Sequence, residues 1–208
     1  PPIIYIGWNA DPHSCKARQG GRLIPCSIPT WEAGIEILRA DEILGEWIPR
    51  LPEPGFTPTN NNLEAISRAI VYQQLSGKAA GTIWQRFLGL YGGEMPEPGR
   101  ILATDVESLL TAGLSYQKAS YLHDLARHCE NGTLRINQLA DLPEEAIRES
   151  LIQVKGIGVW SADMFMMFTL CRPDIWPTLD LGIQKGAANV LGTSEKPKQT
   201  ELADIGER

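Results

Sequence analysis

Gly156 and Gly158 stand one residue apart between two stretches of apolar periodicity, each long enough for a helix, in the string Leu151-Ile152-Gln153-Val154-Lys155-Gly156-Ile157-Gly158-Val159-Trp160-Ser161-Ala162-Asp163. Glycine reaches backbone angles closed to other residues, so the chain can reverse tightly there. The reversal leaves a run of backbone N–H groups at the start of the second helix. Those donors, with the positive end of the helix dipole, suit a phosphate. With no side chain on either glycine, a polyanionic backbone can come close. Read alone, the pair fits a plain turn between packed helices better than an anion site. One helix and a short return loop further on, Trp176-Pro177-Thr178-Leu179-Asp180 ends in a carboxylate. Standing before Leu181-Gly182-Ile183, Asp180 occupies a position suited to a helix N-cap.

The elements that must position these residues belong to a chain of 208 residues, enough for one domain or two small lobes with a real core. Its hydrophobic content of 43% and charged content of 21% are those of a globular protein. No apolar run reaches the roughly 18 to 20 residues of a membrane span, and the first residues lack the pattern of a secretory signal. With 19 basic and 25 acidic residues the net charge is −6, which argues against a protein that simply coats nucleic acid. A small anion-binding face built on backbone N–H groups remains open. Cys15, Cys26, Cys129 and Cys171 are scattered, with no C-x-x-C pair and no histidine at ligand spacing. The expectation is therefore no metal site, no disulfide framework and a reducing, intracellular compartment.

Residues 1–30 are rich in Pro, Gly and Ser and read as an irregular leader or a short strand-like extension. From Trp31 the pattern turns helical, with Ile35, Leu38, Ile43, Leu44 and Trp47 as an apolar stripe up to Pro49. A Pro-rich linker follows to Pro58. Asn60 to Asn62 supply N-caps for a helix facing Leu63, Ile66, Ile70 and Val71 inward. Ser76-Gly77 breaks it, and Ala79 to Tyr91 forms the next, with Ile83, Trp84, Phe87 and Leu88 as core. Asp105 caps a short helix ending at Gly113, and Tyr116 to Cys129 makes a longer one closed by Asn131-Gly132. Pro143 opens the helix Glu144 to Ile152. Val159 to Leu170 is strongly apolar, and its Met164, Phe165, Met167 and Phe168 read as core. A final helix starts just after Asp180 and runs to about Leu191. The expectation is all-α, with eight to ten helices and no convincing strand.

Several strings in this order resemble one family. They are Arg68-Ala69-Ile70-Val71-Tyr72-Gln73-Gln74-Leu75-Ser76, Lys78-Ala79-Ala80, Gly113-Leu114-Ser115 with Lys118-Ala119, the Gly-Ile-Gly hairpin, and Asp180-Leu181-Gly182-Ile183-Gln184-Lys185-Gly186. Together they are similar to the helix-hairpin-helix DNA glycosylase superfamily, in its DNA-3-methyladenine glycosylase II branch of AlkA and yeast-type alkylation glycosylases. The resemblance covers roughly residues 33 to 208. It implies a two-lobed helical fold with a cleft between the lobes, in a glycosylase domain over 31–208. It implies hydrolysis of the N-glycosidic bond of alkylated purines in double-stranded DNA, with base flipping and without metal or organic cofactor. The expected form is a monomer, acting in the nucleus of a eukaryote or the cytoplasm and nucleoid of a bacterium.

Carried over position by position, the phosphate clamp is Lys155, Gly156, Ile157 and Gly158, and the catalytic acid is Asp180. A single carboxylate makes chemical sense. A sugar hydrolase usually needs a second one to protonate a poor leaving group, but a purine alkylated at N3 or N7 is already cationic. Asp180 then has to stabilise the oxocarbenium-like sugar and orient or deprotonate water. Trp160 stands where lyase-type members carry a Schiff-base lysine, so the enzyme is expected to be monofunctional. Trp160 and Tyr72 are candidate base-pocket aromatics, each equally well read as core. Gln74 is the candidate wedge that fills the hole left by the flipped nucleotide, with plain solvation as the alternative. Lys78 and Lys118 read as phosphate contacts or as solvated surface lysines.

The resemblance also implies a further helix beyond Gly206-Glu207-Arg208, so the chain is expected to lack the family's last helix and to be either active or a truncated, inactive glycosylase. Two readings from other classes stay open. One is a non-catalytic helix-hairpin-helix module that only grips DNA; the other is an all-α protein-interaction domain in which the glycines merely permit packing.

Overall fold

A computed structural model describes residues 18–19, 22–23, 31–52, 55, 58–59 and 61–206, with side chains from Gly34 onward. The leader residues 1–17, 20–21 and 24–30, with Cys15 and Cys26 among them, and Asn60 fall outside the described residues. The chain divides into two compact units, one holding Thr59–Thr169 and the other holding Leu170 onward together with described residues up to Pro58.

In the first unit, local chemistry sets most helix boundaries. α3 (Asn62–Tyr72) begins where the Asn61 side chain accepts from the Glu64 N–H at 3.0 Å. α4 (Gly77–Gly89) starts at Ser76, α6 (Val106–Thr111) at Asp105 and α7 (Tyr116–Glu130) at Ser115, each capped by that residue's own oxygen. α5 (Pro98–Ala103) opens on a proline, whose fixed φ and missing N–H fit a first turn. α7 is central: its Ala119, Leu122, Leu125 and Ala126 are fully buried, and it packs on α3, α5 and α6. Asn62 donates its side-chain N–H to the Ile136 carbonyl at 2.8 Å, tying α3 to a 3-10 turn at Ile136–Asp141. α8 (Glu144–Ile152) and α9 (Val159–Phe168) pack against each other through buried Ile147, Leu151, Ala162 and Met166.

The second unit holds α1 (Trp31–Ala40), α2 (Leu44–Trp47), α10 (Leu181–Leu191) and α11 (Gln199–Gly206). α10 ends at Gly192, whose left-handed φ of 66° closes the helix. Leu202 of α11 is fully buried, and α11 is fastened to the stretch before Asp180 by the Trp176 indole, which donates to the Leu202 carbonyl at 2.7 Å. A Cβ at Gly206 would overlap the Trp176 ring, so glycine permits that seat.

The all-α expectation holds, with five corrections among the described residues. A two-residue antiparallel ladder pairs β1 (Arg18–Gln19) with β2 (Arg22–Leu23), so the leader does contain a strand-like piece. The helical stretch from Trp31 is broken after Ala40, because the Asp41 carboxylate accepts the Ile43 and Leu44 N–H groups and starts a new helix there. Leu38 and Ile43 of its apolar stripe are exposed, as is neighbouring Ile37 at 74%. The helix after Asp180 is not the last, since α11 follows and brings the count to eleven. Phe168 is not core but 42% exposed, while Met166 is the methionine of α9 that is fully buried.

Candidate functional site

The hairpin between α8 and α9 uses its two glycines differently. Gly156 has φ +82°, and a Cβ on it would overlap the ring of Tyr121, so both conformation and space require glycine. Gly158 has an ordinary φ of −102° with nothing near a Cβ, which corrects the expectation that both glycines serve the turn. Gly158 is instead the N-cap residue of α9 and makes no side-chain cap. The first amides of a helix have no intrahelical acceptor, so this start is shaped to take an acceptor from outside its own side chains.

Three side chains brace the turn from beneath. Tyr121 on α7 lies against Gly156, with its hydroxyl accepting from the Gln117 amide. Asp124, also on α7 and only 5% exposed, accepts the Lys155 backbone N–H at 2.9 Å. Its other oxygen takes Arg127 at 3.0 Å and lies 3.9 Å from the Lys155 ammonium. The Gln73 side chain donates to the Gly156 carbonyl at 2.8 Å. The two helices of the hairpin are further tied by Arg148, which donates from Nε to Asp163 at 3.0 Å. Burial raises the Asp163 carboxyl above the usual carboxylate range, while the Arg148 bond pulls it back down.

None of Tyr121, Asp124 or Gln73 was singled out as a support by sequence reasoning. The signal existed as a polar stripe on α7, where Gln117, Tyr121 and Asp124 recur four and then three apart, with Lys118 beside Gln117. Such a stripe reads as a solvated face unless its neighbour in space is known.

Lys118 is more than a surface lysine: its ammonium donates to the Val71 and Gln73 carbonyls, each at 2.7 Å. Partial burial lowers its amine from the ordinary lysine value. Lys78 is exposed. Gln74 is exposed in the turn between α3 and α4 and holds a left-handed φ of 57°. For a residue with a Cβ that conformation costs roughly 1–2 kcal/mol.

The two candidate aromatics differ. Trp160, in the first turn of α9, is 44% exposed and so is not the core tryptophan that the alternative reading required. Tyr72 is half-buried, with the Arg68 guanidinium 4.9 Å from its ring centre and Arg68 also donating to its hydroxyl at 3.3 Å. It lines an open groove of about 840 Å³ between α3 and α4, with Arg68, Lys78 and Trp84.

In the second unit, Asp180 is the N-cap of α10, and its Oδ1 accepts from Ile183 N–H at 3.0 Å. The cap reading of this residue is therefore correct as geometry. The approach is fixed by a tight turn, in which Asp180 N–H donates to the Pro177 carbonyl at 2.8 Å. Gln184 donates to the Thr178 carbonyl and Gln199 of α11 to the Thr178 hydroxyl. Gly182 matters here: a Cβ on it would sit 2.8 Å from Asp180 Oδ1. The glycine leaves the carboxylate its room. Leu179 and Leu181, on either side in sequence, are both about half exposed. Among the described residues, no group of three His, Cys, Asp or Glu side chains is placed to hold a metal ion, and no helix is long and apolar enough to cross a membrane.

A helical hairpin with an uncapped second helix, followed in the chain by a turn that ends in a capping aspartate, defines a helix-hairpin-helix protein. The match of residues 67–207 to the model of the HhH-GPD superfamily of base excision DNA repair proteins shows that the chain belongs to that family. An alkylbase DNA glycosidase-like protein of Schizosaccharomyces pombe is 34% identical over 157 residues, which cover 74% of this chain and 72% of that protein. The solved DNA-3-methyladenine glycosidase of Bacillus halodurans is similar with a TM-score of 0.75 and 33% identity, over 83% of this chain and 79% of that one. The 3-methyladenine DNA glycosylase of Schizosaccharomyces pombe, solved in complex with abasic DNA, gives a TM-score of 0.69 and 28% identity over 84% and 88% of the two chains. The chain spans less of three other curated relatives bearing the DNA-3-methyladenine glycosylase name, at 47%, 55% and 51% of their lengths.

Proposed function

We propose that the chain is a monofunctional DNA glycosylase of base excision repair, which hydrolyses the N-glycosidic bond of alkylated purines of the 3-methyladenine type in double-stranded DNA. The observation that carries this reading is Asp180: a carboxylate held by the first turn of α10, beside a glycine that leaves it room, in a chain of this family. The relatives' names support the alkylated-base substrate, and the neighbour solved on abasic DNA supports DNA as the partner.

In this reading the start of α9, with Lys155, Gly156, Ile157 and Gly158, grips a backbone phosphate through N–H groups and the helix dipole. Gln74 fills the space left by the extruded nucleotide, whose unstacking costs a few kcal/mol. Trp160, exposed in the first turn of α9, stacks on the electron-poor base, and an aromatic face is well suited to a cationic purine. Tyr72 is the weaker pocket candidate, since Arg68 already covers one face of its ring. The alkylated base departs with the bonding electrons and becomes neutral, so no strong acid is needed. The sugar is left as a cation, which the Asp180 carboxylate stabilises through space. The same carboxylate orients a water that adds to the sugar carbon and receives its proton. The protein works as a monomer wherever the cell keeps its DNA, in the nucleus or the nucleoid.

The test is release of free base from methylated duplex DNA. The wild-type chain should release it and Asp180→Asn should lose most of that activity while still folding. Normal release by Asp180→Asn would remove Asp180 from the mechanism. Salt-sensitive duplex binding by the wild type with no release at all would favour the non-catalytic grip.

A further inference from the structure

The turn bearing Gln74 and the hairpin bearing Gly156 lie far apart in sequence, yet one run of hydrogen bonds joins them. Lys118 on α7 donates to the carbonyls of Val71 and Gln73, both at 2.7 Å. Gln73 then donates its side-chain amide to the Gly156 carbonyl at 2.8 Å. The last carbonyls of a helix lack intrahelical partners, and a cation there is favourable, so Lys118 closes the end of α3. A cap alone would not need the Gln73 side chain to reach the hairpin. Gln73 is thus pinned twice, by its carbonyl and by its amide, at the point where the chain leaves the helix with φ −52° and ψ 130°. The next residue is Gln74, in its left-handed conformation.

Resting on the proposed function, we infer that Lys118 and Gln73 are positioning residues that hold the Gln74 wedge in fixed register with the hairpin's phosphate grip. The wedge and the grip act on one duplex, so their spacing has to match that of the nucleotides they engage. A misplacement of about 1 Å in a positioning group can lower a rate on the order of 10²-fold.

The experiment uses a duplex with a tetrahydrofuran abasic analogue flanked by 2-aminopurine, whose fluorescence rises when it is unstacked, together with base release from methylated duplex. On binding, the wild type should raise the fluorescence. Gln73→Leu and Lys118→Met should lower both the fluorescence rise and base release by about tenfold or more. Salt-dependent duplex affinity should fall much less than base release, since Tyr121 and Asp124 still brace the grip. Lys118→Arg, which keeps a cationic donor, should recover part of the loss. Adding Gln73→Leu to Gln74→Ala should cost little beyond Gln74→Ala alone, because no wedge is left to position. If Lys118→Met melts below the assay temperature, the half-exposed Gln73 carries the test. Independent, multiplying losses from Gln73→Leu and Gln74→Ala would overturn the inference while leaving the glycosylase reading standing. So would wild-type behaviour of Gln73→Leu. A wild-type chain that binds the probe without changing its fluorescence would remove the wedge, and the inference with it.

Discussion

α9 and α10 begin in opposite ways. α9 starts at Gly158, which offers no side-chain acceptor, and Lys155, Gly156 and the hairpin before it are held by α7 and the Gln73 side chain. α10 starts at Asp180, which fills the same position with the protein's own carboxylate, and the turn before it is held by Trp176, Thr178 and α11. Both helices carry a positive end. The start of α10 is spent on orienting an anion of the chain, whereas in the proposed function the start of α9 takes an anion brought by a partner. On that reading a single structural device, the helix N-terminus, yields a grip in one place and a fixed charge in another.

The sharpest way to break that contrast is to remove the charge at α10 and keep the cap. Asp180→Asn retains a side-chain oxygen for the Ile183 N–H, and Asn caps about as well as Asp. Loss of one electrostatic stabiliser is expected to lower base release by about 10²–10³-fold, with Tm nearly unchanged. Asp180→Ala should show the same kinetic loss plus destabilisation of roughly 0.5–2 kcal/mol from the missing cap. Single-turnover release and thermal melting separate the two. If both variants lose stability and neither loses rate, Asp180 is a cap and nothing more.

The second test is at the turn before α9. Gly156→Ala must place a Cβ into the Tyr121 ring at a left-handed φ. Strain and overpacking together should destabilise the first unit by roughly 2–4 kcal/mol, read by chemical denaturation. Gly158→Ala, with an ordinary φ and open space around its Cβ, should cost much less, about 0.5–1 kcal/mol for the poorer N-cap. Equal losses at the two positions would show that the hairpin needs both glycines for folding.

The third converts α9 into a copy of α10. Gly158 has the extended backbone of a cap residue, with φ −102° and ψ 176°, so Gly158→Asp can supply the missing acceptor. Stability should rise by about 0.5–1 kcal/mol, while affinity for duplex DNA falls, because the new carboxylate both occupies the amides and repels phosphate. Melting and a salt titration of DNA binding are the measurements. Unchanged affinity would mean that the start of α9 is not the grip.

Much of this contrast was legible in the sequence, and the reasons are local. Asn61, Asp105 and Asp180 announce helix starts because a cap depends only on the next three residues. The Gly-Ile-Gly turn is legible for the same reason. What stayed hidden depends on partners distant in the chain. The stretch that forms α11 shows little apolar periodicity; Leu202 is its buried residue, and Trp176, far back in the chain, gives it a seat. Gly156 and Gly158 look alike until the Tyr121 ring tells them apart. Lys118 looks like a surface lysine until the end of α3 is placed against it. Gly182 looks like a helix-weakening glycine until the Asp180 carboxylate is seen leaning toward it.

The smallest expected effect is at Asp105, the helix start that resembles Asp180 most closely and has none of its surroundings. Asp105 accepts the Ser108 N–H at 2.8 Å and the Ser108 hydroxyl at 2.8 Å, so both its oxygens serve its own helix. At Asp180 the equivalent residue is Ile183, which offers an amide and no hydroxyl. The Ser108 N–H, and after it the Ser108 hydroxyl, hold the Asp105 carboxyl below its usual value. A carboxyl lowered in the folded state binds fewer protons there than in the unfolded chain. Its contribution is therefore present above the ordinary value of 3.8 and is lost as pH falls through the lower, folded one. Asp105→Asn should lower Tm slightly at neutral pH, and the gap to wild type should close as the pH drops below that range. Base release by Asp105→Asn should equal that of the wild type at every pH where both are folded. A kinetic loss there would show that capping carboxylates in general, through helix stability, set the rate, and the distinction drawn for Asp180 would fail.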